Sequence, residues 1–335
     1  MTANPTRIGV IGAGIIGMSS AYRLQTELVN TKVTVVADAF TPNLTSDGSG
    51  GLWELYDFFN TKPERIRKWG KDTYAYLKKL CLSPESRIAG TSFLRVITLS
   101  RQAIELPSFA NEVEHCRKLL KEELETRFPQ CSDGFSFTSM TCEPKIYLPW
   151  LSQKFMVAGG EMRQEKVSDL SVFCDQYDLV INCAGLMAST LANDSSLYPI
   201  RGQVIKVKGV DCLNGILLKP FYILPGLEIA TLGGTHEKDN DDTTVDENAK
   251  EMIMKGCCEL EPSFKNAVVE MDWVGLRPAR RNGVRLELDT SFHPTTKVIH
   301  NYGHAGIGVT THWGCAEEVL SLACQCLAVA NKAAS

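Results

Sequence analysis

The first 38 residues constrain this chain more than any other stretch. Arg7-Ile8-Gly9-Val10-Ile11 reads as a short buried strand, and Gly12-Ala13-Gly14-Ile15-Ile16-Gly17 follows at once. Met18 to Leu28 has helical apolar spacing, and Lys32 to Ala37 reads as a second strand that stops at Asp38. Strand, glycine turn, helix, strand and acid, in that order, form a site for a dinucleotide. Gly12 allows a tight turn that a residue with a Cβ resists. Gly14 lets backbone approach a pyrophosphate, and Gly17 lets helix and strand pack closely. The helix start offers free N–H groups and a partial positive charge to phosphate. Asp38 suits the ribose hydroxyls of an adenosine and would repel a 2′-phosphate, which disfavours NADP. The motif alone does not separate FAD from NAD.

Three later stretches bear on that choice. Thr45 and Ser46 offer hydroxyls, and Gly50-Gly51 ahead of Leu52-Trp53 lets backbone pass close to something flat or charged. Tyr177 to Gly185 reads as a parallel-type strand ending in small residues. Ligands in such sheets lie beyond the carboxyl ends of strands, so Ala184-Gly185 either nears the nucleotide or simply ends a buried strand. Asn301 to Thr310 carries Gly303, Gly306 and Gly308, and a helix from about Val309 to Ala330 follows. A second glycine turn at a second helix start suits the far end of a longer cofactor. A reduced flavin carries negative charge that a helix dipole stabilises, which tilts the choice toward FAD.

The remaining pattern is mixed. Helices are expected at Pro63–Leu80, Ala110–Phe128, Tyr147–Val157 and Asn248–Leu260. Strands are expected at Thr91–Leu99, Phe135–Thr141, Arg201–Lys208, Met271–Pro278, Val284–Leu288 and Lys297–Asn301, with an antiparallel pair at Phe221–Gly226 and Ile229–Gly234. Nucleotide elements lie at both ends and in the middle, so the domains are expected to be discontinuous. Residues 1–55, 140–195 and 290–335 would bind the nucleotide, and 56–139 and 196–289 would form a substrate and interface domain.

Composition bounds the function. Thirty-five basic against 39 acidic residues give a net charge of −4, which argues against a nucleic-acid surface. No apolar stretch approaches the length of a membrane span. Twelve cysteines without a C-x-x-C pair read as small thiols in a reducing compartment, not as disulfides or metal ligands. The ending Asn331-Lys332-Ala333-Ala334-Ser335 is not a Ser-Lys-Leu address, so a cytoplasmic location is expected, with a peroxisomal one left open.

Several motifs together carry a family likeness. They are Gly12-x-Gly14-x-x-Gly17, Phe40-Thr41-Pro42 with Thr45-Ser46-Asp47, Val180-Ile181-Asn182-Cys183-Ala184-Gly185 and Arg201-Gly202-Gln203-Val204. Leu232-Gly233-Gly234-Thr235, Gly275-Leu276-Arg277-Pro278 and His300-Asn301-Tyr302-Gly303-His304 complete the set. In this order, over nearly the whole chain, the sequence resembles the D-amino-acid oxidase and D-aspartate oxidase family of FAD enzymes. The resemblance implies an α/β fold: a Rossmann-type FAD-binding domain with a second, mostly antiparallel β-sheet substrate domain. It also implies hydride transfer from the Cα of a D-amino acid to flavin N5, with O₂ consumed and 2-oxo acid, ammonia and hydrogen peroxide released.

Residue by residue, the resemblance implies that Gly12, Ala13, Gly14, Ile15, Gly17 and Asp38 hold the ADP half of FAD. Thr45, Ser46, Gly51 and Leu52 would line the phosphates and flavin, and Val167 would meet the adenine end. Ala305, Gly306, Ile307, Gly308, Val309 and Thr310 would cover the flavin pyrimidine ring. Arg277 would pair with the substrate α-carboxylate, Tyr222 would donate to it, and the Gly306 carbonyl would accept from the amine. The sequence departs from the family at Ala39, where Arg or Lys is usual, at Ser49-Gly50, where Ala-Ala is usual, and at Ala305, where Gly is usual. Each departure would weaken FAD binding without abolishing it.

The chemistry of these residue types agrees. A guanidinium forks onto a carboxylate through two parallel charge-assisted bonds; the plain alternatives are a structural salt bridge for Arg277 and a core position for Tyr222. No side-chain acid or base is needed at Cα, and His304 and His312 read as structural hydrogen-bond partners. An acidic substrate needs a second cation. The family's D-aspartate oxidases carry arginine after the Leu-Gly-Gly-Thr segment and before the Tyr222 strand; here His236 and Lys219 stand near those places. Both are candidates for a side-chain carboxylate, or else exposed loop residues. Tyr147 to Leu151 and Val274 to Pro278 lean toward the aspartate branch. The expectation is therefore oxidation of acidic D-amino acids (D-aspartate, then D-glutamate), with neutral D-amino acids as the alternative, by a monomer or homodimer. The rivals are an NAD-linked dehydrogenase and a flavoprotein without turnover.

Overall fold

The computed structural model describes residues 4–55 and 59–333, with side chains to residue 328. Two sheets carry the fold. In the six-stranded sheet Thr6–Ile11 is central, parallel to Thr31–Ala37 on one side and Leu179–Asn182 on the other. Glu161–Gln164 extends one side and Lys297–Tyr302 the other, both parallel, and Arg285–Asp289 closes an edge antiparallel. Ile8, Val10, Val33, Val35 and Val36 are all buried. These strands are covered on both faces, which is why they read as continuous apolar runs and not as alternation. Helix Ile15–Glu27 packs against the C-terminal helix Gly308–Ala333, so the two glycine turns stand side by side.

The nine-stranded sheet is antiparallel except where Thr91–Ser100 runs parallel to Asn214–Leu218. Its spine is Leu197–Lys208, which pairs with Val268–Arg280 along one side and with Ala230–Gly233 and Glu237–Lys238 along the other. Thr91–Ser100 pairs with Asp133–Cys142 over its whole length.

Local readings differ from the structure in several places. Helix Ile15–Glu27 starts three residues before Met18, because Gly14 is already its N-cap. Ala110–Phe128 is not one helix: Glu114–Lys118 is an edge strand on Asp133–Cys142, and only Lys121–Arg127 is helical. Dense charge marks exposure, which an edge strand and a helix share. The helix start comes from Glu123, whose carboxylate accepts from the Leu120 N–H at 2.9 Å. Arg285–Asp289 belongs to the parallel sheet because it hairpins onto Lys297–Tyr302, and the strand to Cys142 belongs to the other.

A buried carboxylate joins the two sheets. Asp194 accepts from Arg280 Nε at 2.7 Å and from the Tyr302 hydroxyl at 3.0 Å, and Arg280 and Tyr302 lie on strands of different sheets. Burial would raise the Asp194 pKa, but hydrogen bonds from Ser196, Arg280 and Tyr302 outweigh it and hold the group well below the usual carboxylate range.

Candidate active site

The carboxyl ends of the parallel strands and one face of the second sheet enclose a cavity of about 2140 Å³. That is roughly twice the upper range of an ordinary small-molecule pocket, ~1,000 Å³. One end is built by the first glycine turn. Gly12 has φ +99°, and a Cβ there would lie 2.4 Å from the Cys183 carbonyl oxygen. A Cβ on Gly17 would lie 1.9 Å from the Gly12 carbonyl oxygen. The spacing of the motif therefore reflects backbone against backbone. Helix Ile15–Glu27 has no side-chain cap and no acid in its first turn, so its positive end is open to the cavity. Ser46 Oγ takes one of its N–H groups, from Ile15 at 3.2 Å. Asp38 stands exposed at the end of its strand and lines the same space. An open helix start, two glycines that admit no Cβ, and an acid at the rim fit a dinucleotide.

The middle of the cavity is held by the loop after Asp38. Asp47 accepts from Thr41 Oγ1 at 2.6 Å and from the Leu44 N–H at 2.8 Å, which fixes the turn bearing Thr45 and Ser46. Gly51 has φ +72°, and a Cβ there would meet the Cys142 carbonyl oxygen at 2.3 Å. A Cβ on Gly50 would lie 2.5 Å from Leu224 Cδ1, so Leu224 fills the room that the usual alanine would take. Trp53 turns into the core and donates from Nε1 to the Gly70 carbonyl at 3.0 Å.

The second sheet supplies the other wall. Arg277 and Tyr222 both face the cavity, each over a glycine seat. A Cβ on Gly202 would come within 2.1 Å of Arg277 Nη1, and one on Gly233 within 2.0 Å of Tyr222 Cζ. Arg277 Nη1 donates to the Thr235 carbonyl at 3.4 Å, and the Arg277 charge acts on the Tyr222 hydroxyl. Burial raises the Tyr222 pKa, with the charge of Arg277 acting against it, so the phenol keeps its proton. Among the described residues no carboxylate pairs with Arg277. A guanidinium held in a cavity wall without an anion is prepared for one from outside.

Most sequence-derived positions converge here. Gly12, Ala13, Gly14, Ile15, Gly17, Asp38, Thr45, Ser46, Gly51, Leu52, Val167, Ala305, Gly306, Gly308 and Val309 line the one cavity, as do Arg277, Tyr222, His236 and Lys219. His236 and Lys219 do so from its exposed edge. Two do not. Ile307 is fully buried in the core, and Thr310 turns away from the cavity. The Thr310 hydroxyl donates to the Glu54 carbonyl at 3.0 Å and accepts from its N–H at 3.3 Å. Consecutive residues of a helical turn point in different directions, so a contiguous motif overcounts contacts.

Two of the histidines, His304 and His312, are buried. Burial pushes His304 down to about 3 and His312 to about 4, so both are neutral near pH 7. His312 bonds the Val309 carbonyl at 2.7 Å, and His304 meets Cys315 Sγ at 3.4 Å. Glu54 lines the cavity and was missed from sequence. The signal was its place beside Trp53, whose burial turns its neighbour the other way. Gly202 and Gly233 were present in motifs, but nothing local tells a seat for a side chain from a bulge.

A glycine-turned nucleotide cradle facing a wall that carries an arginine fits a dinucleotide-dependent oxidoreductase. The comparisons make the class specific. The model of the FAD dependent oxidoreductase family (DAO) matches residues 7–322, and the chain belongs to that family. Its cofactor is FAD. The chain is 35% identical over 332 residues to D-aspartate oxidase of Homo sapiens, covering 96% of this chain and 95% of that protein. It is 36% identical over 320 residues to D-amino acid oxidase of Dugesia ryukyuensis, covering 93% and 96%. Glycine oxidase from Bacillus cereus shares the fold, with a TM-score of 0.78 at 17% identity over 95% of this chain and 94% of that one. Among the described residues no helix is long and apolar enough to cross a membrane.

Proposed function

We propose that this protein oxidatively deaminates D-amino acids, with acidic ones (D-aspartate and D-glutamate) as its preferred class. The observation that carries the reading is the Arg277–Tyr222 pair, seated on glycines and without a protein anion among the described residues, in the cavity that the nucleotide cradle opens into. FAD, when bound, supplies the hydride acceptor and returns its electrons to O₂ as hydrogen peroxide. Arg277 forks onto the α-carboxylate and Tyr222 donates to it. The Gly306 carbonyl accepts from the amine, and the three contacts orient the Cα–H bond. Alignment of this kind supplies up to ~7–11 kcal/mol in favourable cases. The division into a nucleotide region from both ends and the middle of the chain, and a substrate region between them, belongs to the same proposal.

The acidic preference rests on Lys219 and His236 at the exposed edge of the same cavity, where a side-chain carboxylate would emerge. A second reading, neutral D-amino acids, is favoured by Glu54, which also lines the cavity and whose charge acts against that of Lys219.

The test is a D- and L-amino acid panel with peroxide detection, run with added FAD. Turnover of D-aspartate at least tenfold above D-alanine supports the acidic reading, and the reverse ratio selects the neutral one. Arg277→Ala should lower kcat/KM by about 10²- to 10⁴-fold, from loss of a buried charge-assisted contact of ~3–5 kcal/mol. A purified protein with bound FAD that turns over no D-amino acid sinks the proposal.

A further inference from the structure

We infer that Glu54 is a specificity-determining residue: its carboxyl group, opposite Lys219 in the cavity wall, decides which side-chain charge the substrate end accepts. The inference rests on the function proposed above and names a residue which that reading does not use.

The backbone of Glu54 is anchored. Its backbone N–H and carbonyl are clamped by the single Thr310 hydroxyl, at 3.3 and 3.0 Å. Thr310 follows the Ala305–Ile307 turn at the start of the C-terminal helix. Glu54 is thus tied to the second glycine bend, while Gly51 and Leu52 just before it line the cavity. With Trp53 buried, the Glu54 side chain is turned toward the open space.

Its chemistry is unfinished. Among the described residues no donor bonds the Glu54 carboxyl, and no cation pairs with it directly. Carboxyls in cavity walls normally have donors, and one without them is available to whatever enters. Burial raises its pKa to about 7, with the charge of Lys219 acting against the rise. Arg277, Tyr222, His236, Glu237, His304, Tyr302, Cys183, Arg101, Asp38 and Glu165 are the other titratable groups that line the cavity. Ionised, Glu54 repels a side-chain carboxylate and cancels Lys219. It attracts an ammonium or guanidinium side chain. Protonated, it can donate to a side-chain carboxylate. Glu54→Gln keeps the shape and a donor but removes the negative state.

The test is made at pH 8.5, where Glu54 is ionised. Wild type, Glu54→Gln and Glu54→Asp are assayed as FAD-loaded enzymes on D-aspartate, D-alanine and D-arginine. Glu54→Gln should raise the D-aspartate to D-alanine ratio of kcat/KM about tenfold and lower the D-arginine to D-alanine ratio by as much. Glu54→Asp should stay within threefold of wild type. Binding is read independently as thermal shift by succinate and by propionate. Succinate should tighten about tenfold in Glu54→Gln while propionate does not change. Parallel changes across all three amino acids, with unaltered succinate binding, would overturn the inference and leave the proposed function standing. If the wild type oxidises none of the three, that proposal fails, and the succinate and propionate shifts still decide the role of Glu54.

Discussion

At the scale of single residues, the site is a set of positions where a Cβ is either impossible or expensive. Ala305 is the exception. Its φ of +46° lies in the left-handed region, which L-residues with a side chain adopt at a penalty of roughly 1–2 kcal/mol. The bend beside it needs this conformation because Gly303, at φ +88°, and Ala305 together turn the chain from strand Lys297–Tyr302 into the C-terminal helix. Ala305→Gly relieves the strain, offset in part by the freedom glycine adds to the unfolded chain. The variant should be more stable by ~0.5–1 kcal/mol, a rise of one or two degrees in Tm for a domain of this size. A calorimetric scan reads it directly, and a lower Tm would show that the Ala305 methyl packs well enough to outweigh the strain. The departure at Ala305 was visible in the sequence because the motif around it is long. The compensation of Gly50 by Leu224 was not, since it joins positions far apart in the chain.

At the scale of elements, the first glycine turn was the most legible part because each of its glycines answers to nearby backbone. The strand at Glu114–Lys118 was the least legible. Its pairing with Asp133–Cys142 lies outside any local window, and its charged residues fit a solvated helix equally well. The substrate wall was half legible: Arg277 and Tyr222 came from motifs, while their convergence depends on two strands that both neighbour Leu197–Lys208 or its partner. The joint at Asp194 gave no signal, although it couples these halves. Asp194→Asn leaves the Arg280 guanidinium without its anion and weakens two hydrogen bonds. Breaking a largely buried pair costs about 3–5 kcal/mol, and partial exposure of Arg280 argues for the low end. Because Tyr302 leads directly into the Gly303 bend, FAD should also bind less tightly. A Tm and FAD affinity both equal to wild type would show that the joint contributes nothing.

At the scale of the whole molecule, stability should fall on mild acidification, before most carboxylates titrate. Three buried imidazoles drive this, against Glu54, whose carboxyl, raised by burial to about 7, acts in the opposite direction over the same window. Burial pushes His300 and His312 down to about 4 and His304 to about 3, from an ordinary 6.5. Between pH 6.5 and about 4 the unfolded chain therefore holds protons that the folded chain refuses. Unfolded protein then binds more protons than native, and linkage requires stability to rise with pH through this window and to be lost as pH falls. The carboxylate at Asp194 acts in the same direction but lower, since its pKa is depressed and its stabilisation is lost only as pH falls below the ordinary carboxylate range. The three histidines flank the second glycine bend: His300 on its strand, His304 in the turn and His312 in the helix beyond. Acid should accordingly loosen the FAD end first. Thermal melts of the FAD-loaded protein from pH 7.5 to 5 should show Tm dropping by several degrees, with FAD released at or before the main transition. His312→Asn, which cannot take up a proton, should flatten that slope even if its Tm at pH 7.5 is lower. A Tm that is level from pH 7.5 to 5 would mean that these imidazoles titrate alike in the folded and unfolded chains, and that the bend is open to water.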